Sequence, residues 1–283
     1  MADSFKSEVL SIEREGHVAT LWLDRPEARN AMGRALWDDL ILAMADLSED
    51  PEVRAVLIAA RGPHFSVGLD LKEMGSVLAG GPGPGGDGAK PSMAARARSA
   101  RTAVLNLQRS INAVADCPKP VVAAVHGYCI GGGVDLISAC DIRVCSTDAV
   151  FSVRESKVAI VADLGSLQRL PRIIGAGHVA ELAFTGKDID AGRALAIGLV
   201  NDVHEGGADG VLAAGRALAA EIAANSPIAV QGTKAVLAAN DGRTVAQGLE
   251  YVATWNAGML ASDDLTEAMV AFMEKRAPRF TGG

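Results

Sequence analysis

Residues 155–163 read ESKVAIVAD: a glutamate, a run of mostly apolar or small residues, then an aspartate. A carboxylate buried without a partner is costly. Two acids bounding an apolar run therefore either sit outside as a surface pair or sit inside, where they can move protons. Asp163 directly precedes LGSLQRL and also fits a helix N-cap. A third acid, Asp135, follows three glycines in HGYCIGGGVD, residues 126–135. In the first turn of a helix it fits simple compensation of the helix dipole. Gly131, Gly132 and Gly133 let backbone approach a ligand closely and leave N–H groups free at the positive end of that helix. Such donors can hold a developing oxyanion; a tight turn with close packing is the plainer alternative. The glycine spacing matches neither a dinucleotide fingerprint nor a Walker A loop, which argues against nicotinamide and nucleoside triphosphate cofactors.

The elements that must carry these residues alternate. HVATLWLDRP is a strand that stops at Pro26, and Leu36, Leu40, Met44 and Leu47 mark a helix ended by Asp50-Pro51. VRAVLIAARG is a strand closed by Gly62-Pro63. Residues 75–91, GSVLAGGPGPGGDGAKP, are too rich in glycine and proline for regular structure and serve as linker or as a mobile lid beside a pocket. A helix spans about 92–116 with Val104, Leu107, Ile111 and Val114 on one face. VVAAVHG is a buried strand, GVDLISAC begins a helix, and DIRVCS and AVFSV are short strands. From Gly165 helices dominate, with one more strand near GLVNDV and helices over about 207–225, 227–239, 244–261 and 263–276, the last capped by Asp263 or Asp264. This pattern gives an α/β core over 1–204 and a helical C-terminal segment over 205–283.

The chain has 283 residues, 49% hydrophobic and 22% charged, enough for a large core. A net charge of −7 disfavours non-specific binding to nucleic acid or anionic membrane, so an anionic ligand needs a local basic patch. Cys117, Cys129, Cys140 and Cys145 form no C-x-x-C pair, no histidine cluster completes a metal site, and buried free thiols in a reducing compartment are expected. The N-terminal MADSFKSEVLSIERE lacks an apolar signal core, no run approaches the roughly 20 apolar residues of a membrane helix, and RFTGG is no peroxisomal tripeptide. A cytoplasmic protein is the resulting expectation.

LDRPEARNAM (23–32), HFSVGLDLKEM (64–74) and PKPVVAAVHGYCIGGGVDLISACDIRVCS (118–146), continued by LQRLPRIIG and AFTGKDIDAGRALAIGLVNDV, resemble in sequence and order the crotonase, or enoyl-CoA hydratase/isomerase, superfamily. The resemblance implies a spiral core of ββα units holding an acyl-CoA site, and a C-terminal helical subdomain that builds a homotrimer or a dimer of trimers. It implies that the N–H groups of Leu69 and Gly132 form an oxyanion hole for the thioester oxygen, and that Val67, Gly68, Leu69, Asp70, Leu71 and Gly132 bind substrate. Removing a proton α to a thioester puts charge on that oxygen, and one fixed donor there is typically worth about 3–4 kcal/mol. No cofactor is then needed beyond the CoA of the substrate.

Within the superfamily, hydratases resemble one another in holding a water with two glutamates. Here Glu155 is kept, but Asp135 stands at the other position and Asp163 appears in VADLGSLQRL. The set closely resembles Δ3,5-Δ2,4-dienoyl-CoA isomerases of fatty acid β-oxidation, which move a proton from C2 to C6. The resemblance implies Glu155 as base at C2, Asp163 as acid at C6 and Asp135 as a supporting charge; the sequence leaves the first two roles exchangeable. Arg25, Arg29, Lys72 and Lys275 are candidate CoA contacts, Lys275 reaching an adjoining subunit, while His64 and His126 are read as structural. A hydratase or another crotonase-type isomerase is the alternative, and a non-catalytic or RNA-binding member is the alternative of another class.

Overall fold

The computed structural model describes residues 5–78 and 92–283. Strands β1 (Leu10–Glu15) and β2 (Val18–Leu23) form a hairpin whose turn holds Gly16 at φ +55°. Then follow α1 (Arg34–Glu49), β3 (Ala55–Ala60), α2 (Leu71–Leu78), α3 (Met93–Ala115), β4 (Val121–Val125), β5 (Tyr128–Ile130) and α4 (Gly132–Ser138). Next are β6 (Ile142–Ser146), β7 (Val150–Ser152), a 3₁₀ turn at Glu155–Val158, α5 (Ser166–Ile173), α6 (Ala176–Thr185), β8 (Ile189–Asp190), α7 (Ala191–Ala196) and β9 (Asp202–His204). The chain ends in α8 (Gly207–Ala223), α9 (Pro227–Ala239), α10 (Val245–Met259) and α11 (Asp263–Glu274).

One sheet has the order β1-β2-β3-β4-β6-β9, antiparallel only between β1 and β2. A parallel sheet is covered on both faces, which is why VATLWL, AVLIAA and VVAAV are apolar throughout rather than alternating. Leu21, Ile58 and Ala123 share a core with Leu40 and Met44 of α1 and Ile111 of α3. Trp22, Leu57 and Ala124 pack with Val211 of α8 on the opposite face. A Cβ on Gly215 would stand 2.9 Å from Leu57 Cδ1 and 3.1 Å from Ala124 Cβ, so α8 lies hard against the sheet. The smaller sheet, β5-β7-β8, is stitched to the loop after β3 by a bridge between Ser66 and Cys129. Beyond α8 the helices bury little: Gly232 on α9, Gly248 on α10, and Asp264 and Ala271 on α11.

Three local expectations change. Helix α2 runs to Leu78, four residues into the stretch expected to lack regular structure, and the rest of that stretch (79–91), with its reading as linker or lid, lies outside the described residues. Ser262, not Asp263 or Asp264, caps α11 by accepting the Leu265 N–H. Asp264 is instead 2% exposed and accepts the Ser226 hydroxyl and the N–H groups of Thr281 and Gly282, tying down the chain end. Asp163 caps nothing: the N-cap of α5 is Gly165. All four cysteines are buried free thiols, and burial pushes Cys140 and Cys145 up to about 12.

Candidate active site

Two main-chain segments meet at the site. After β3 the chain runs beside β5, Phe65 and Ser66 donating N–H to the carbonyls of His126 and Tyr128 and Ile130 donating back to Ser66, all within 2.9–3.0 Å. Met32 N–H donates to Gly68 O at 2.8 Å and Asp70 N–H to Met32 O at 3.0 Å, so Leu69 sits between two bonded neighbours with its own N–H given to no described residue. On the other segment, Gly131 N–H bonds Ser152 O, and Val134 and Asp135 close onto Gly131 O. That leaves the Gly132 N–H free among the described residues. Glycine is required on both sides. Gly68 has φ +83°, and a Cβ there would stand 2.7 Å from Ile130 O and 3.4 Å from the Gly132 nitrogen. A Cβ on Gly132 would stand 2.9 Å from Met32 Sδ and 3.5 Å from Trp37. Two preorganised donors side by side are what a developing oxyanion needs.

Both donors open into a cavity of about 470 Å³, also lined by Asp135, Glu155 and Asp163. Asp135 is 1% exposed and accepts the Ser166 N–H at 2.7 Å, so one carboxylate serves the first turns of both α4 and α5. Burial, with the Asp163 charge adding to it, pushes Asp135 up to about 6 against the opposing Ser166 bonds. Glu155 begins the 3₁₀ turn after β7. Its Oε1 lies 3.2 Å from the point where a Cβ on Gly131 would stand, and its Oε2 is buried with no hydrogen-bond partner among the described residues. Burial first, then the charges of Asp135 and Asp163, push it up to about 7. Burial also raises Asp163. Three repelling acids in one desolvated cavity hold a shared proton near neutrality, which is what acid–base work there requires.

Of the other residues singled out in the sequence, Val67, Gly68, Leu71 and Arg29 line the cavity with Leu69 and Gly132. Asp70 does not. Its carboxylate accepts N–H groups from Lys72 and Glu73 at the start of α2 and pairs with Arg25 at 2.9 Å, which holds it below the usual range. Arg25 also pairs with Glu73 at 3.3 Å and stays off the cavity wall, so the two act as a brace beneath the Leu69 segment. Lys72 is exposed on α2, and Lys275 is exposed in a left-handed C-cap of α11; neither lines the cavity of this chain. His126 bonds Gly62 O and His64 stacks on Tyr128, as structural histidines do.

The sequence reading missed the apolar wall. Ala100, Ala103, Val104 and Leu107 of α3 line the cavity, as do Trp37, Met74 and Tyr128. The expected face of α3 divides: Val104 and Leu107 look onto the cavity, while Ile111 and Val114 enter the core. The signal was present as a stripe at i, i+3, i+4 and i+7 beginning at Ala100. Its small residues hid it.

Residues 13–283 match the family described as enoyl-CoA hydratase/isomerase. The peroxisomal Δ(3,5)-Δ(2,4)-dienoyl-CoA isomerase of Arabidopsis thaliana is 43% identical over 280 residues, covering 98% of each chain. The mitochondrial Δ(3,5)-Δ(2,4)-dienoyl-CoA isomerase of Homo sapiens is 43% identical over 261 residues, covering 92% of this chain and 77% of that protein. Among solved structures, the enoyl-CoA hydratase of Bacillus anthracis superposes with a TM-score of 0.86 at 30% identity, covering 98% of this chain and 100% of that one. The expectation of a cytoplasmic protein does not stand, because these relatives are named as peroxisomal and mitochondrial enzymes; the composition of the two chain ends carried no compartment information. No helix among the described residues is long and apolar enough to cross a membrane. The match along nearly the whole chain and the shared architecture agree: this chain belongs to the enoyl-CoA hydratase/isomerase, or crotonase, family and has its fold.

Proposed function

We propose that the protein is an isomerase that converts 3,5-dienoyl-CoA to 2,4-dienoyl-CoA in fatty acid β-oxidation, the activity named for relatives 42–44% identical to it. The observation that carries this reading is one cavity holding two unbonded main-chain donors and two desolvated acids on separate supports, Glu155 after β7 and Asp163 before α5. The Leu69 and Gly132 N–H groups hold the thioester oxygen. Glu155, over the glycine next to Gly132, takes the proton from C2, and the electrons move onto that oxygen. Asp163 then gives its proton to C6, the thioester carbonyl re-forms, and the double bonds come to rest at C2 and C4. A base near 7 suits neutral pH. Asp135, tied to Ser166, supports the charge balance rather than pairing with Glu155 around a water, which favours isomerisation over hydration. The chemistry calls for no cofactor besides the CoA of the substrate.

One observation favours the exchanged roles: burial and its acidic neighbours push the Glu155 carboxyl up to about 7, where it can hold a proton. Its place beside the oxyanion donors, where C2 must lie, argues for the base. We also assign segment 205–283 to assembly as a homotrimer or dimer of trimers, supported by the exposed apolar Leu249, Met269, Phe272 and Met273 on α10 and α11. Arg29 remains the candidate CoA contact at the cavity. Addition of a 3,5-dienoyl-CoA is expected to produce the absorbance of the conjugated 2,4-diene. Absence of that signal, with 3-hydroxyacyl-CoA formed from a 2-enoyl-CoA instead, overturns the isomerase in favour of a hydratase.

A further inference from the structure

Asp163 stands on the segment that crosses from the 3₁₀ turn to α5. Among the described residues its carboxylate accepts no hydrogen bond from another side chain, so its aim depends on how its main chain is held. That hold comes from α3. Gln108 Nε2 donates to the Asp163 carbonyl at 2.7 Å. One turn further along, Asn112 Oδ1 accepts from Arg169 Nη2 at 2.6 Å, and Arg169 Nη1 reaches the Leu164 carbonyl at 3.4 Å. Gly165, at φ +128°, makes room for that guanidinium: a Cβ there would stand 1.8 Å from Arg169 Nη1. Gln108 and Asn112 are four residues apart and share a face of α3. The neighbouring face carries Ala100, Ala103, Val104 and Leu107, the apolar wall of the cavity. Glu155 is held otherwise, in the 3₁₀ turn after β7, with its carbonyl accepting the Ile160 N–H at 3.0 Å.

We propose that Gln108 is a positioning residue for Asp163. By gripping the Asp163 carbonyl it fixes the distance from that carboxyl to the far carbon of a chain lying on the same helix. Proton delivery at C6 therefore depends on Gln108, while proton removal at C2 does not. The inference rests on the isomerase reading above. The donor must be the amide nitrogen, because its partner is a carbonyl, so a side chain of similar shape without N–H isolates the bond from packing.

The test is Gln108→Met, assayed in deuterated buffer with a 3,5-dienoyl-CoA. Two signals are followed together: exchange of the C2 hydrogen, by mass spectrometry of recovered substrate, and growth of the conjugated diene. Asp163→Asn marks the limit of a lost C6 acid. Gln108→Met is expected to lower kcat for diene formation at least tenfold. KM and C2 exchange should stay within about twofold of the parent enzyme, and the thermal midpoint should be little changed. Diene formation within twofold of the parent, or a parallel loss of exchange and isomerisation, overturns the positioning role. If the parent enzyme itself forms no conjugated diene, the isomerase reading falls and takes the proposal with it; if only the variant comparison fails, that reading stands alone.

Discussion

Replacing Glu155 by glutamine should stabilise the fold, and by an amount set by pH. The Glu155 carboxyl is raised from its ordinary 4.5 to about 7 by burial and by the charges of Asp135 and Asp163, and one of its oxygens has no partner among the described residues. Below pH 4.5 the group is protonated in both the folded and the unfolded chain and costs the fold nothing extra. As pH rises from 4.5 to 7 the unfolded chain ionises and the folded one resists, so stability drains away and the full penalty is reached above 7. At about 1.4 kcal/mol per pH unit the ceiling is about 3 kcal/mol. Partial exposure of the residue and an imperfectly paired amide in the variant reduce the expected gain to about 2 kcal/mol. Denaturant unfolding of parent and Glu155→Gln at equal protein concentration should therefore give similar midpoints at pH 4. At pH 8 the variant should be more stable by about 2 kcal/mol while inactive. A difference that is the same at both pH values, or a variant less stable at pH 8, refutes the claim that Glu155 is held in a desolvated, like-charged setting.

In a pH–rate profile, kcat/KM should fall as pH rises through about 7, because the shared proton that the C6 acid must donate then leaves the cavity; a rate unchanged between about pH 6 and 8 refutes the shared-proton arrangement. Gly68→Ala places a Cβ 2.7 Å from Ile130 O at φ +83°. It should cut kcat/KM by about 10²–10³ through displaced oxyanion donors, and an unaffected rate removes Gly68 from that assembly. Ala103→Phe fills the α3 wall and should raise the preference for short over long dienoyl chains at least tenfold in the ratio of kcat/KM values; an unchanged ratio places the chain elsewhere.

Much of this site was legible because glycine and charge carry local meaning. The triple glycine before α4 and the glycine of VGLD marked the close approach of two main chains, and the acids at 135, 155 and 163 stood out against apolar surroundings. The strands were legible for a related reason: β2, β3 and β4 are apolar on both faces, a pattern only a covered parallel sheet tolerates. What escaped depended on partners distant in sequence. Arg25 and Asp70 read as ligand contacts, and their pairing with each other, 45 residues apart, left no local signal. Asp264 read as a cap until the returning chain end claimed its oxygens. Gln108 carries no local signal at all, because its partner is a main-chain carbonyl 55 residues away.

Because both proposed oxyanion donors belong to the main chain, side-chain scanning passes over them. Truncating Leu69 leaves its amide in place, and Gly132 has nothing to truncate. Vulnerability is transferred to residues that do no chemistry, such as Met32, whose backbone grips Gly68 and Asp70 and whose sulfur abuts Gly132. A methionine that never meets the reacting atoms should thus rank among the positions least tolerant of exchange, and a survey confined to polar residues would overlook it.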